Sequence, residues 1–390
     1  MLQRIILAVS LFFFSASTFS YRSAMIAYFL IALIFACGMV GKDKLTSPLG
    51  LTLSGISIAF LVLLISSYNY IHLIYYVKFL GMIFYVYLFL ILVNSKLLSK
   101  EDVLYAAKAF LYMHCTFFFT QLGIYLLTGN MINFDSYFRE EDARLLANTL
   151  ALQGQVIDVR ATGIFSEPSF YSYTVYPVAL VLSIYQGRYT LASILGIVTS
   201  VLTFSVAAFV IVGIGTIYTL FLFKKNHLAK IAIIIGVILF FPLGYTVFEN
   251  RVINSVDYNA VESRMVIFEE FKQRGGIKNI FGSGFLWYEK QPIGDTGLRG
   301  YHTRDTSTFV YLFFAAGVLG TVLIILGIYL MFKQKIAYFN AFMVILLFKF
   351  SILSAAFWLA LIFFCAFYKL ALQEEDSNEW QGSFQIKSEA

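Results

Sequence analysis

Apolar stretches of about 20 residues follow one another along most of the chain, and that is the length an α-helix needs to cross a bilayer's hydrocarbon. Candidate spans lie at 3–20, 23–40, 49–66, 70–93, 103–127, 168–186, 229–247 and 307–331. Two longer runs, 189–223 and 336–369, are each about twice a span length. Thr199, Ser200, Thr203 and Ser205 interrupt the first; Ser351 and Ser354 interrupt the second. Each reads as two helices joined by a tight turn, which makes about 12 spans. Inside lipid each backbone polar group must find a partner within the protein, so the predicted fold class is an all-α polytopic membrane protein. Composition agrees. The chain is 60% hydrophobic and 13% charged, where an ordinary globular chain has roughly 45–50% and 25%. A soluble core cannot hide that surplus, which excludes a soluble enzyme, a disordered chain and a disulfide scaffold.

The net charge of +6 comes with no basic stripe, so nucleic acid is not an expected partner. The charges report orientation instead. Turns after even-numbered spans carry Lys42, Lys44, Lys96, Lys100, Arg188, Lys224, Lys225, Lys230, Lys333 and Lys335, and Arg4 and Lys369 flank the termini. The short odd-numbered turns carry only Arg22. The positive-inside rule therefore predicts both termini in the cytoplasm. Met1–Ser20 has some marks of a signal peptide, but its cleavage site is poor and a second span follows at once, so it reads as an uncleaved first span. The expected organisation is one transmembrane domain over 1–370 and a cytoplasmic tail over 371–390. Two long loops, 128–167 and 248–306, then face outwards. Cys37, Cys115 and Cys365 each lie in an apolar run without metal-ligand spacing and read as buried thiols.

Long loops in a compact protein are usually functional. The second is rich in aromatic and aliphatic residues and reads as a small folded cap. Val261, Met265 and Phe268 fall at helical spacing, so 261–271 is predicted as a helix, lying either on the membrane surface or only against the loop. In the first loop Arg160-Ala-Thr-Gly163-Ile-Phe-Ser166-Glu167-Pro168 stands out. Pro168 suits the first turn of span 6 and Ser166 is a candidate cap. Arg160 beside a helix N-terminus makes a candidate anion site; the plainer alternative is an Arg–Glu pair tying the loop down. The second loop ends in Arg299-Gly-Tyr-His302-Thr-Arg304-Asp305-Thr306-Ser307, with Asp305, Thr306 or Ser307 able to cap span 10. His302 is a candidate phosphate contact or proton carrier, against the plainer reading of a solvated loop histidine. Arg264 is a further basic candidate. Phe281-Gly-Ser-Gly284 lacks a following Lys and reads as a turn.

No HExxH, P-loop, GxGxxG or GxSxG pattern occurs, and no clustered acidic pair suggests a divalent metal site, so neither metal nor cofactor is expected. The spans hold Lys78, His114 and Lys349. Intramembrane charge is a functional candidate by default; Lys349 reads as snorkelling to the outer surface, and Lys78 fits either reading.

Three of these patterns, in this order and at these membrane positions, resemble the Wzy-type O-antigen polymerases and the related O-antigen ligases. Arg160 to Pro168 looks like the family's Arg-x-x-Gly pattern before a span. Glu262-Ser-Arg264 followed by Gly282-Ser-Gly284 looks like the Ser/Gly-Arg and Gly-x-Gly elements of its large loop. His302, then Tyr311 to Gly317-Val-Leu-Gly320, looks like its His-containing loop end and Gly-x-x-Gly helix. The chain departs from the family in having His302-Thr where His-Asn is common, and Ser205-Val206 where relatives carry Ser-Arg.

The resemblance implies a GT-C-like architecture of about 12 transmembrane helices with the large periplasmic loop between spans 9 and 10. It implies a membrane glycosyltransferase of surface-polysaccharide (lipopolysaccharide) biosynthesis in a bacterial inner membrane. The substrate would be an oligosaccharide on undecaprenyl pyrophosphate, the partners membrane lipid and a chain-length regulator and flippase of the same pathway. Arg160, Arg264, Arg299, Arg304 and Lys78 would hold pyrophosphate and glycan; His302, Glu167 and Arg160 would be catalytic. A ligase joining finished glycan to lipid A core is the close alternative. A flippase for the same lipid is the alternative from another class, and it lacks the charged path through the spans that it would need.

Overall fold

The computed structural model describes residues 1–39, 49–67, 73–139, 160–223, 262–287 and 306–388, with a few isolated positions between 231 and 303. Among them every regular element is a helix: α1 Leu2–Ala16, α2 Tyr21–Met39, α3 Leu49–Ser67, α4 Leu73–Asn94, α5 Lys100–Thr128, α6 Asp135–Phe138, α7 Pro168–Gln186, α8 Leu191–Leu202, α9 Val206–Leu222, α10 Glu262–Gln273, α11 Gly276–Phe281, α12 Thr308–Phe332, α13 Ile336–Ile345 and α14 Ala355–Ser388. Among the described residues five stretches are long and apolar enough to cross a membrane: Tyr21–Gly38, Leu73–Asn94, Lys100–Thr128, Thr308–Phe332 and Ala355–Glu375. This is a helical membrane protein. The expected span at 229–247 lies outside the described residues.

Both long apolar runs do break. The first divides into α8 and α9 at Thr203–Ser205, where Phe204 takes a positive φ of 50°. The second divides into α13 and α14 across residues 346–354. The polar residues mark both breaks because side-chain hydroxyls bond locally to backbone and compete with the helix. Thr203 Oγ1, for example, donates to the Ser200 carbonyl at 2.8 Å. The resulting pieces are short. At about 1.5 Å per residue, α8 with 12 residues and α13 with 10 are about 18 and 15 Å long. Each is close to half the roughly 30 Å of hydrocarbon.

α7 is the hub. It packs against α5, α8, α9, α13 and α14, and most of its side chains are buried. Close approach to α8 depends on Gly196, whose Cβ, if present, would lie 2.9 Å from Ala179 Cβ and 3.1 Å from Leu111 Cδ2. α1 and α2 form a hairpin clamped to α4 by Ser10, whose hydroxyl lies 3.0 Å from the Ala27 carbonyl and 2.9 Å from the Tyr85 hydroxyl. Phe14 stacks on Tyr85 at 3.9 Å.

Polar contacts gather at two ends. At one, Arg4 pairs with Asp102 at 2.6 Å, Gln3 donates to the Leu97 carbonyl, and Lys100 and Lys335 pair with Glu374 and Glu375 of α14. Asp102 also completes a capping box with Ser99. These are the turns that the sequence assigns to the Lys/Arg-rich side. At the other end meet the α1–α2 turn, residues 160–167, the two breaks and the start of α12. The thiols differ from expectation: Cys115 is buried and Cys365 partly so, but Cys37 is exposed on α2, on the flank of the bundle.

Two glycines test this packing. Gly196→Leu forces α7 and α8 apart, and overpacking of this kind costs about 1–3 kcal/mol. The thermal unfolding midpoint in detergent should fall by several degrees. Gly213→Ala, with nothing within 4 Å of the added Cβ, should not lower it, since Ala is the better helix former.

Candidate functional site

The segment 160–167 is fixed from below by α5. Gln121, buried in that helix, accepts from the Thr162 and Gly163 amides at 2.7 and 2.9 Å, and its own amide donates to the Ile132 carbonyl. His114, about two turns earlier, lies with Nε2 3.1 Å from Ser15 Oγ and stacks parallel to Phe165 at 5.5 Å. His114 thus ties α5 to α1 and to this segment inside an aromatic cage, a structural use of the intramembrane histidine. Tyr171 of α7 donates to Thr199 of α8 at 2.9 Å, beside Cys115.

Arg160 is 2% exposed, and its Nε donates to the Thr203 carbonyl at 3.1 Å. Its guanidinium therefore sits at the C-terminal end of α8, where the helix dipole is negative and carbonyls lack partners. The sequence places Arg160 at the N-terminal end of the next helix instead. Pro168 does occupy the first turn of α7, but the cap residue is Glu167, with no side-chain capping bond. Ser166, expected to be the cap, instead accepts from Arg139 Nη2 at 2.8 Å.

Glu167 meets Lys349, which projects from the break between α13 and α14. Lys349 Nζ lies 3.1 Å from Glu167 Oε2, and the two side chains are 17% and 25% exposed. Lys349 also stands 5.2 Å over the Phe170 ring. The snorkelling expected of it is therefore replaced by an ion pair, because the break places the ammonium within reach of a carboxylate. Phe170 stacks on Phe19 at 4.9 Å, and Arg139 covers the far face of Phe19 at 4.5 Å. Arg139 pairs with Asp135 at 3.0 Å. Burial raises the Asp135 carboxyl above its ordinary range, and the Arg139 charge offsets part of that. Lys78 donates to the Thr18 carbonyl, while Thr18 Oγ1 accepts the first amide of α14, from Ala355, at 2.9 Å.

The start of α12 joins the same group. Ser307 caps the helix, accepting from the Val310 amide at 3.5 Å, as the sequence allows. Thr308 donates through both its amide and its hydroxyl to the Phe348 carbonyl, at 2.9 and 2.7 Å, and accepts from the Phe350 amide. Irregular backbone in the break is thus paired within the protein, as an apolar surrounding demands.

One end of the bundle therefore carries a part-exposed carboxylate–ammonium pair, flanked by aromatic rings and by the cations Lys78, Arg139 and Arg160. Of the residues singled out in the sequence, Glu167, Arg160 and Lys78 lie at this end of the bundle, each with its own partner: Lys349, the Thr203 carbonyl and the Thr18 carbonyl. Arg264 lies on α10, and its side chain is outside the described residues, as are His302, Arg299 and Arg304. Sequence reading missed Arg139 and Gln121, and it misread Lys349. Lys349 sits two residues before Ser351 in a run that breaks, which is the signal that would have found it. Such a site can hold an anionic group and accept a proton at Glu167. Among the described residues no group of His, Cys, Asp and Glu is arranged to hold a metal ion. No protein-family model, curated protein or solved structure matches the chain.

The ion pair is open to a double-mutant cycle. Lys349→Met, Glu167→Gln and the double variant should show a coupling of about 1 kcal/mol, at the lower end for contacting residues because both side chains keep some water. Additive shifts in unfolding midpoint would mean that the contact contributes nothing.

Proposed function

We propose that the protein is a polysaccharide polymerase of the O-antigen polymerase type. It transfers a growing glycan from undecaprenyl pyrophosphate onto the next lipid-linked repeat unit. In this reading about 12 spans cross a bacterial inner membrane with both termini in the cytoplasm, and the bundle has the GT-C-like form that the resemblance implies. What chiefly supports the reading is the Glu167–Lys349 pair at the end of the bundle where the half-length helices stop. It offers a base and a cation at membrane depth, where a lipid-linked anionic substrate presents its reacting centre.

The acceptor hydroxyl oxygen attacks the anomeric carbon of the donor. The bond from that carbon to the pyrophosphate oxygen breaks, and the pyrophosphate leaves with the electron pair. The hydroxyl proton passes to a base, either Glu167 or His302. Lys349 holds the Glu167 carboxylate ionised and oriented until the proton arrives. Arg160, Arg264, Arg299, Arg304 and Lys78 supply the positive field in which the leaving charge develops. Arg160 does this from a fixed position, since its Nε is committed to Thr203. The ring faces of Phe19 and Phe170 suit stacking against sugar.

Purified protein in liposomes, given lipid-linked repeat units alone, should lengthen the glycan; product formed only when lipid A core is added would instead indicate a ligase. Glu167→Gln should lower turnover by about 10²–10⁴-fold with donor affinity retained. His302→Gln tests the other base in the same way. Arg160→Lys should also be impaired, because an ammonium does not reproduce the guanidinium fork. Lys225→Ala should be silent. Wild-type turnover in both Glu167→Gln and His302→Gln would remove general-base catalysis by either residue.

A further inference from the structure

α12 is not one helix. At Gly317 its backbone leaves helical geometry, with φ 66° and ψ −172°. The segment after α11 fills the gap: the Ser283 and Gly284 amides donate to the Phe314 and Ala315 carbonyls, both at 2.9 Å. The two chains approach so closely that a Cβ on Gly282 would lie 2.2 Å from the Ala315 oxygen, and one on Gly317 would lie 2.3 Å from the Ile280 oxygen. Gly282 also has a positive φ of 85°, so both positions require glycine on conformation as well as space. The Phe281-Gly-Ser-Gly284 run, expected to be a turn, is this insertion.

Arg274, between α10 and α11, closes the junction. It is 3% exposed. Its Nε donates to Asn279 Oδ1 at 2.5 Å, Nη1 to the Phe314 carbonyl at 3.2 Å and Nη2 to the Phe313 carbonyl at 3.3 Å. Its guanidinium lies within 5.4 Å of the rings of Phe271, Phe313 and Phe314. The carbonyls that the break strips of helical partners thus meet two amides and a guanidinium.

The depth of this junction decides what lies on its other side. The two helical segments of α12, 25 residues in all, together rise about 38 Å along their axes, against roughly 30 Å of hydrocarbon. Phe313–Gly317 lie about 8–14 Å along it from Thr308. With α12 centred in the bilayer they are about 4–10 Å inside the hydrocarbon. α11 packs there, and its outer edge is apolar: Ile277 is 68% exposed, Ile280 49% and Phe281 58%. That edge continues the exposed flank of α12 at Val318, Leu319, Val322 and Leu323. α10 differs. Its exposed face mixes Met265 and Phe268 with Glu269 and Lys272, the pattern of a helix at headgroup level.

We infer that α10 and α11 form a re-entrant hairpin whose partner is the bilayer itself, with α10 in the headgroup layer and the Ile277–Phe281 edge against acyl chains. Arg274 lies at membrane depth yet has protein partners, as a buried cation there requires. The large loop is then partly a membrane element that pins its middle, at residues 274–284, beside α12, not a cap held wholly in water.

The test uses nitroxide labels on full-length protein in phosphatidylcholine–phosphatidylglycerol vesicles, in a background with Cys37, Cys115 and Cys365 replaced. Power saturation compares collisions with oxygen, which concentrates in lipid, and with a water-soluble nickel chelate. Labels at Ile277→Cys and Phe281→Cys should match Leu323→Cys on the flank of α12, with oxygen collisions dominant. Gln273→Cys should show the reverse. Nickel accessibility at Ile277 and Phe281 equal to that at Gln273 would overturn the inference. Should Phe281→Cys fail to accumulate, Ile277→Cys decides alone, because its side chain packs least.

Discussion

Unpaired backbone inside an apolar medium is the constraint on which the rest of this structure depends. A helix satisfies its own amides and carbonyls, so a chain this apolar folds readily into helices. Among the described residues, three places between or within the apolar helices abandon that solution: Thr203–Ser205, residues 346–354 and Gly317. In each, groups from elsewhere supply partners. Arg160 reaches the Thr203 carbonyl, Thr308 bonds the 346–354 break at Phe348 and Phe350, and Arg274 with two loop amides serves the break at Gly317.

These repairs also concentrate polar chemistry. Short α8 and α13 both end in irregular backbone, and charged side chains gather beside it. Lys349 comes from one break, Arg160 serves the other, and Glu167 caps the helix between them. An ion pair with both partners only 17% and 25% exposed is costly to build for stability alone, because desolvation opposes the Coulombic gain. It stands at the end of the bundle beside stacked Phe19 and Phe170, the position on which the proposed function rests.

The helical class and both chain breaks were legible in the sequence, because apolar length and hydroxyl clusters speak directly to membrane helices. So was the start of α7, marked by Pro168, and that of α12, marked by Ser307. Partnerships across the bundle were not legible. Nothing local tells that Arg160 ends on a carbonyl 43 residues away or that Lys349 meets Glu167 across 182 residues. Ser166 misled because hydroxyl residues favour caps, yet here Arg139 claims its oxygen. Gly282 reads as part of a turn, and both it and Gly317 enter the resemblance as motif glycines; only their mutual approach shows why neither can carry a side chain.

Access to the site from water and from substrate is the point on which the account turns. Ser351, partly exposed in the break beside Lys349, can report both. In a background lacking the native cysteines, Ser351→Cys should react with a membrane-impermeant maleimide supplied from the side bearing residues 160–167. Undecaprenyl-pyrophosphate-linked oligosaccharide should slow that reaction, whereas free oligosaccharide should not. Labelling from the opposite side, or a rate indifferent to the lipid-linked substrate, would contradict the account.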